Sequence, residues 1–173
     1  NKEDCQMCRD DAAGCWWITL NNLNPTKEYA FQYYVGTKGG ETIRLADAYC
    51  EKILDPEHDD DIPASAYPDN KTYPKGGKGI VSVFKIQRDN YAWTVSDFKM
   101  QHPKQPVIYE MHLRDFTTGR TINSALQKLD YLKDMGVDAI ELMPVQEFDG
   151  NDSWGYNPCF FFALDKAYGT PKM

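Results

Sequence analysis

The stretch Val107-Ile-Tyr-Glu-Met-His-Leu113, the helical repeat after it and the run Asp138-Ala-Ile-Glu-Leu-Met-Pro-Val145 constrain the fold more than any other part of the chain. Residues 107–113 read as a strand. Thr121 stands where a helix N-cap belongs, and Ile122, Ala125, Leu126, Leu129, Leu132 and Met135 then recur every three or four positions, the spacing of one helix face. Gly136 supplies the C-terminal stop. Residues 138–145 are nearly continuous in apolar character, as expected of a parallel strand covered on both faces. Together these make a βαβ unit, the seed of an α/β domain. A closed (β/α)8 TIM barrel needs on the order of 200 residues or more, and 68 residues run from Pro106 to Met173. The expectation is a fragment that stops inside its second domain.

The region before it has a different rhythm. Gly14-Cys-Trp-Trp-Ile-Thr-Leu20 and Glu28-Tyr-Ala-Phe-Gln-Tyr-Tyr-Val35 read as antiparallel strands joined by the turn Asn21-Asn-Leu-Asn-Pro25. Ile80-Val-Ser-Val-Phe84 and Tyr91-Ala-Trp-Thr-Val95 read as further strands. Alternation in the second strand suits a sheet half-buried on a sandwich core. Trp16 and Trp17 point to opposite faces, so one is expected in the core and the other outside. Between the strands, residues 55–79 are irregular and rich in Asp, Pro, Gly and Lys. The acidic run Asp59-Asp60-Asp61 beside Glu57 offers carboxylates to calcium, but it lacks the alternating ligand spacing and central Gly of a calcium loop. It reads as a solvated turn. Met100-Gln-His-Pro-Lys-Gln-Pro106 reads as a linker. The expected organisation is an incomplete immunoglobulin-like β-sandwich over residues 1–100, a linker over 101–106, and the start of a barrel over 107–173.

A net charge of −7 argues against nucleic acid, because phosphate binding needs clustered Lys and Arg to release counterions. No apolar run approaches the roughly 20 residues that cross a bilayer. There is no signal-peptide pattern, and a start at Asn1 rather than Met suggests a mature or trimmed form. Five cysteines, Cys5, Cys8, Cys15, Cys50 and Cys159, are an odd number. Cys5 and Cys8 have a spacing that can share a zinc ion with Cys15 and Cys50. The alternatives are free thiols in a reducing compartment or a Cys5–Cys8 disulfide. No nucleophile elbow, phosphate loop or His-metal spacing is present.

The run Ser153-Trp154-Gly155-Tyr156-Asn157-Pro158 carries the functional signal. Sugar rings present apolar C–H faces to aromatic planes, and an aromatic pair at the carboxyl end of a strand builds such a platform. Tyr156 adds a hydroxyl for a polar partner. The alternative for Trp154 and Tyr156 is plain packing of a loop against a barrel rim. With aromatic residues at 13% of the chain, carbohydrate is the favoured substrate class.

Several motifs in order extend this reading. They are Val107-Ile-Tyr-Glu-Met-His-Leu-Arg-Asp-Phe116, Leu129-Asp-Tyr-Leu-Lys-Asp-Met-Gly-Val137, Ile140-Glu-Leu-Met-Pro-Val145 and Trp154-Gly-Tyr-Asn-Pro158, followed by Phe162-Ala and Tyr168-Gly-Thr-Pro171. This part of the chain resembles the opening of the catalytic barrel in the alpha-amylase family of glycoside hydrolases, above all its multidomain members such as pullulanases, isoamylases, branching enzymes and bacterial alpha-amylases. The preceding region resembles the early-set β-sandwich that such enzymes carry, with its first strands missing. The resemblance implies a retaining α-glucan-active enzyme acting on starch, glycogen or maltooligosaccharides. Tyr156 then matches the tyrosine that stacks under the glucose ring at the scissile bond. The family's two carboxylates, roughly 5 Å apart in a retaining enzyme, and a third acid belong to later strands, so no catalytic residue lies in this chain. It is expected to be inactive alone. The resemblance implies no cofactor, calcium being an option for a full-length parent, and it leaves a secreted, envelope or cytoplasmic location open.

Other acidic and basic residues have simpler roles. Glu110, His112 and Glu141 are expected in structural hydrogen-bond networks, and Glu147, Asp149 and Asp152 either rim the cleft or face water. A second reading of the chain is a non-catalytic glucan-binding or spacer module. A third consequence of a half-built barrel is self-association through its exposed edges.

Overall fold

The computed structural model describes residues 5–88, 90–100 and 104–171, so residues 101–103 of the expected linker lie outside the described residues. The fold is mostly sheet with few helices. Strands β1 (Cys8–Asp10) and β2 (Cys15–Trp17) form an antiparallel hairpin. Asp10 Oδ1 closes it by accepting the Ala12 and Ala13 amides at 3.0 Å each. Strand β3 (Tyr29–Phe31) pairs with β7 (Val81–Phe84), which also pairs with β6 (Lys52–Leu54), both antiparallel. Strands β4 (Tyr33–Gly36) and β5 (Thr42–Leu45) form a separate hairpin.

This corrects several expectations. The segment with Trp16 and Trp17 does not pair with residues 28–35, because Asp10 organises a nearer partner for it. Neither tryptophan is core: they are 56% and 51% exposed, since a two-stranded ribbon has no second layer over either face. Residues 28–35 are two strands, broken at Gln32. Its Nε2 donates to the Lys78 and Ile80 carbonyls at 2.7 Å each, so the side chain turns the backbone from one sheet to the next. Residues 91–95 form no strand. Tyr91 and Trp93 meet edge to face with centroids 5.0 Å apart, a local contact that needs no ladder.

The C-terminal half opens on β8 (Ile108–Met111), which lies parallel to β9 (Ala139–Leu142) with Tyr109 opposite Ile140 and Glu110 opposite Glu141. Three short helices connect them: α1 (Leu113–Phe116), α2 (Ile122–Leu126) and α3 (Leu129–Asp134). Thr121 is the N-cap of α2, in a capping box with Ser124. The expected single helix is broken at Gln127 and Lys128. The break carries Leu126, Leu129 and Met135 off the common stripe, and they are exposed while Ala125 and Leu132 are buried. Gly136 ends α3 with φ +84°; its amide reaches Lys133 O and the Val137 amide reaches Leu132 O. Strands β10 (Gln146–Phe148) and β11 (Pro158–Leu164) then form an antiparallel hairpin, and the Ser153–Pro158 run lies in and just beyond its loop.

Among the described residues there are two apolar cores. One joins Leu54, Val81 and Val83 with Ala30 and Tyr73. The other joins Met111, Leu113, Ala125, Leu132, Phe148 and Tyr168. The accessible surface of 13023 Å² exceeds the roughly 8,700 Å² that size scaling gives a compact monomer of this mass. Much apolar surface is therefore uncovered, including Ile108 and Leu142 on the parallel pair.

Charged contacts bind the two halves together. Lys166 is 1% exposed, and its ammonium bonds to Glu147 and to Asp59 Oδ1 at 3.3 Å. Asn70 Nδ2 donates to the other Asp59 oxygen at 3.2 Å, and Asn151 Nδ2 donates to the His58 carbonyl at 2.8 Å. Asp59 is therefore not a solvated residue, and Glu147 neither rims a cleft nor faces water. Burial pushes the Glu147 carboxyl up to about 7, partly opposed by Lys166. Burial likewise raises Asp165, beside it, to about 6. For Lys166, burial acts to lower the pKa, but the Glu147 and Asp59 carboxylates outweigh it and the net direction is upward.

Replacing Lys166 with Met strands buried Glu147 and half-buried Asp59 and is expected to cost about 3–5 kcal/mol in urea denaturation. The pH dependence has a defined sign. Glu147 and Asp165 bind protons more tightly when folded, so their contribution is complete below about pH 4, near their unfolded values, and is lost as pH rises through about 6 to 7. His58, raised by its bond to Asp55, adds in the same direction. Melting temperature is expected to rise as pH falls from 8 to 5.5, with a shallower slope in Glu147→Gln.

Candidate active-site cleft

Trp154 and Tyr156 project from the β10–β11 loop and are 65% and 64% exposed. The chain direction of β8 and β9 brings both of their carboxyl ends to this side, the usual functional end of a parallel sheet. Glycine makes the local path: Gly155 has φ +86°, and a Cβ there would lie 2.5 Å from the Pro144 carbonyl oxygen. That close approach lays the loop against the segment following β9. Inside the loop, the Gly155 amide donates to Ser153 Oγ at 3.0 Å, and Ser153 Oγ bonds to the Asn157 side chain.

The Tyr156 hydroxyl donates to Glu110 Oε1 at 3.2 Å. Glu110 sits opposite Glu141 in the parallel register, and both are exposed. Partial desolvation, the Glu110 hydrogen bond and the Glu110 and Glu141 charges all hold the Tyr156 hydroxyl above its ordinary range. The phenol is therefore a neutral donor at ordinary pH. One ring face and one anchored hydroxyl suit a neutral polyhydroxyl ligand.

Behind the loop, Arg114 bonds to the Asp152 carboxylate and to the Ser153 carbonyl at 3.3 Å. Arg114 Nε also meets Asp115 Oδ1 at 3.1 Å. His112 is held at both ring nitrogens, by Asp115 Oδ2 at 3.0 Å and by the Tyr168 hydroxyl at 3.1 Å. Glu110 and His112 are thus both hydrogen-bonded. Sequence reasoning did not single out Arg114; its place beside Asp115 at the head of α1 was the available signal. Among the described residues no three His, Cys, Asp or Glu side chains gather to hold a metal, and Cys5, Cys8, Cys15 and Cys50 do not converge on one.

Gly155→Ala is expected to cost about 1–3 kcal/mol in chemical denaturation, since the added Cβ meets backbone in a left-handed conformation.

No family model matches the chain. It is 33% identical to a malto-oligosyltrehalose trehalohydrolase of Saccharolobus solfataricus over 99% of this chain and 25% of that protein. It is 48% identical to a malto-oligosyltrehalose trehalohydrolase of Mycobacterium tuberculosis over 38% of this chain and 11% of that protein. A pullulanase of Bacillus subtilis matches at 34% identity over 55% of this chain and 16% of its own length. The chain thus spans a quarter or less of the length of each of these relatives. This likeness, along nearly the whole of the chain in the first case, supports membership of the alpha-amylase family of glycoside hydrolases.

Proposed function

We propose that this chain is part of a retaining glycosidase acting on α-glucans such as starch, glycogen or maltooligosaccharides, and that Tyr156, with Trp154 beside it, forms the platform for a glucose ring. The observation that carries this is the exposed Tyr156 ring, with its hydroxyl anchored on Glu110, at the carboxyl end of the β8–β9 pair. The relatives are named for trehalohydrolase and pullulanase activities, which supports a glucan substrate. In this reading residues 1–100 are an early-set sandwich lacking its first strands, 101–106 a linker, and 107–173 the first part of a (β/α)8 barrel. The carboxylates that cut the bond belong to barrel strands beyond those described here. Glu110 and Glu141 are neighbours, but Glu110 is engaged as the acceptor for Tyr156.

The chain on its own is therefore a binder without catalysis. Calorimetric titration with maltoheptaose is expected to detect binding that Tyr156→Ala weakens by roughly tenfold, about the worth of an aromatic contact with its hydroxyl hydrogen bond. Incubation with the same sugar is expected to release no new reducing ends. Release of reducing ends, or binding indifferent to Tyr156, would count against the reading. The uncovered Ile108 and Leu142 side chains also favour self-association of the isolated chain. Light scattering after size exclusion is expected to show oligomers, and a clean monomer would exclude that part.

A further inference from the structure

We propose that Arg114 is a positioning residue for the aromatic loop, fixed in turn by a hydrogen-bonded chain that runs through exposed Asp115 and buried His112 to Tyr168. The inference deepens the platform reading above and takes its ligand from it. Arg114 stands in the first turn of α1, largely covered, and its guanidinium uses two edges. Nε holds Asp115 Oδ1 at 3.1 Å, and Nη1 reaches the Asp152 carboxylate and the Ser153 carbonyl. Ser153 lies three residues before Tyr156 in the chain, so the tie acts at the entry to the platform.

A long side chain fixed at one end alone swings through its rotamers. Here the opposite edge is fixed as well. Asp115 Oδ2 is held by His112 Nδ1 at 3.0 Å, and His112 Nε2 is held by the Tyr168 hydroxyl at 3.1 Å. His112 and Tyr168 are buried, and Tyr168 belongs to the apolar core with Met111 and Phe148. Position is thus passed from a packed core to a surface loop through four side chains joined by direct hydrogen bonds. The Asp115 hydrogen bond raises the Arg114 pKa, and the Arg114 bond, followed by the His112 bond, lowers that of Asp115; both directions agree with an ionised pair. The loop's other anchors differ in kind. The Gly155 contact with Pro144 is steric, the Ser153–Asn157 bond is internal to the loop, and the Tyr156–Glu110 and Asn151–His58 hydrogen bonds tie it to β8 and to the turn after β6 through single neutral donors. Arg114 is the planar, multidentate group that fixes the loop's orientation against α1.

The test is amide hydrogen exchange of the 173-residue chain, read at Gly155, in the wild type and in Arg114→Ala, Arg114→Lys and Tyr168→Phe. Arg114→Ala is expected to speed exchange at Gly155 by about tenfold, the factor expected for loss of a charge-assisted hydrogen bond, with the β9 amides unchanged. Arg114→Lys restores part of the protection, because an ammonium replaces the charge but not the fork. Tyr168→Phe keeps the ring in the core and loosens the loop in the same direction by less. In titration with maltoheptaose, Arg114→Ala loses affinity at an unchanged melting temperature, which a residue important only for stability would not do. Wild-type exchange at Gly155 in Arg114→Ala overturns the proposal. If that variant does not fold, wild-type exchange in both Arg114→Lys and Tyr168→Phe overturns it. A wild-type chain that ignores maltoheptaose while Arg114→Ala still loosens Gly155 defeats the glucan reading and supports the positioning role.

Discussion

A single buried ammonium, that of Lys166, joins parts of the chain that have little else to hold them together. The sheets on either side of it are of two or three strands, at or below the size at which a sheet is stable alone. Lys166 follows β11, Glu147 lies in β10 and Asp59 in the turn after β6, so one cation closes a contact across more than a hundred residues. Taking three charges out of water is costly, and the attraction between them offsets that cost only where the remaining polar atoms are met. Asn70 meets Asp59, but Asp165 Oδ2 has no partner, and burial raises the Asp165 pKa accordingly. The cluster favours specificity over raw stability: among the described residues no other cation bonds to Glu147, so the turn docks in one place.

The aromatic loop depends on that arrangement at one remove. Its hairpin is the one that the Lys166–Glu147 pair staples, and Tyr168, two residues beyond Lys166, begins the chain of bonds to Arg114. The rigid parts thus lie behind the loop, while the face of the loop is open. Around it Glu110, Glu141, Asp149 and Asp152 make the rim acidic and exposed. An acidic rim disfavours phosphorylated or carboxylated ligands and accepts hydroxyl donors, which agrees with a neutral glucan.

The sequence made the backbone punctuation legible and the polar burial illegible. Thr121 and Gly136 carry their mechanisms locally, in an N-cap side chain and a positive φ, and both stand where the pattern places them. The parallel pair was readable because apolar runs on either side of a helical repeat have few other ways to pair. Gln32 was not readable, since its bonds to Lys78 and Ile80 link residues far apart in sequence. Lys166 and Glu147 look like surface charges until the fold brings them together. The Arg114 network fails to register for the same reason: each of its residues is ordinary alone, and its meaning lies in contacts 38 to 56 residues away.

The parallel strands themselves argue for what lies around them. Along β8, Tyr109 packs on the second core and Met111 is buried in it, while Ile108 and Glu110 face outward. On β9, Ile140 packs inward and Leu142 is exposed. A solvated sheet face normally carries polar residues at every second position. This one sets Ile108 and Ala139 beside the paired acids Glu110 and Glu141, a composition that suits neither open water nor a plain apolar core. It suits the inner wall of a closed barrel, where aliphatic layers fill the lumen and acids gather at the carboxyl end beside the loops. Under the barrel reading proposed above, Glu110 and the Tyr156 it anchors stand at the rim of that wall, with the uncovered Ile108 on the same face.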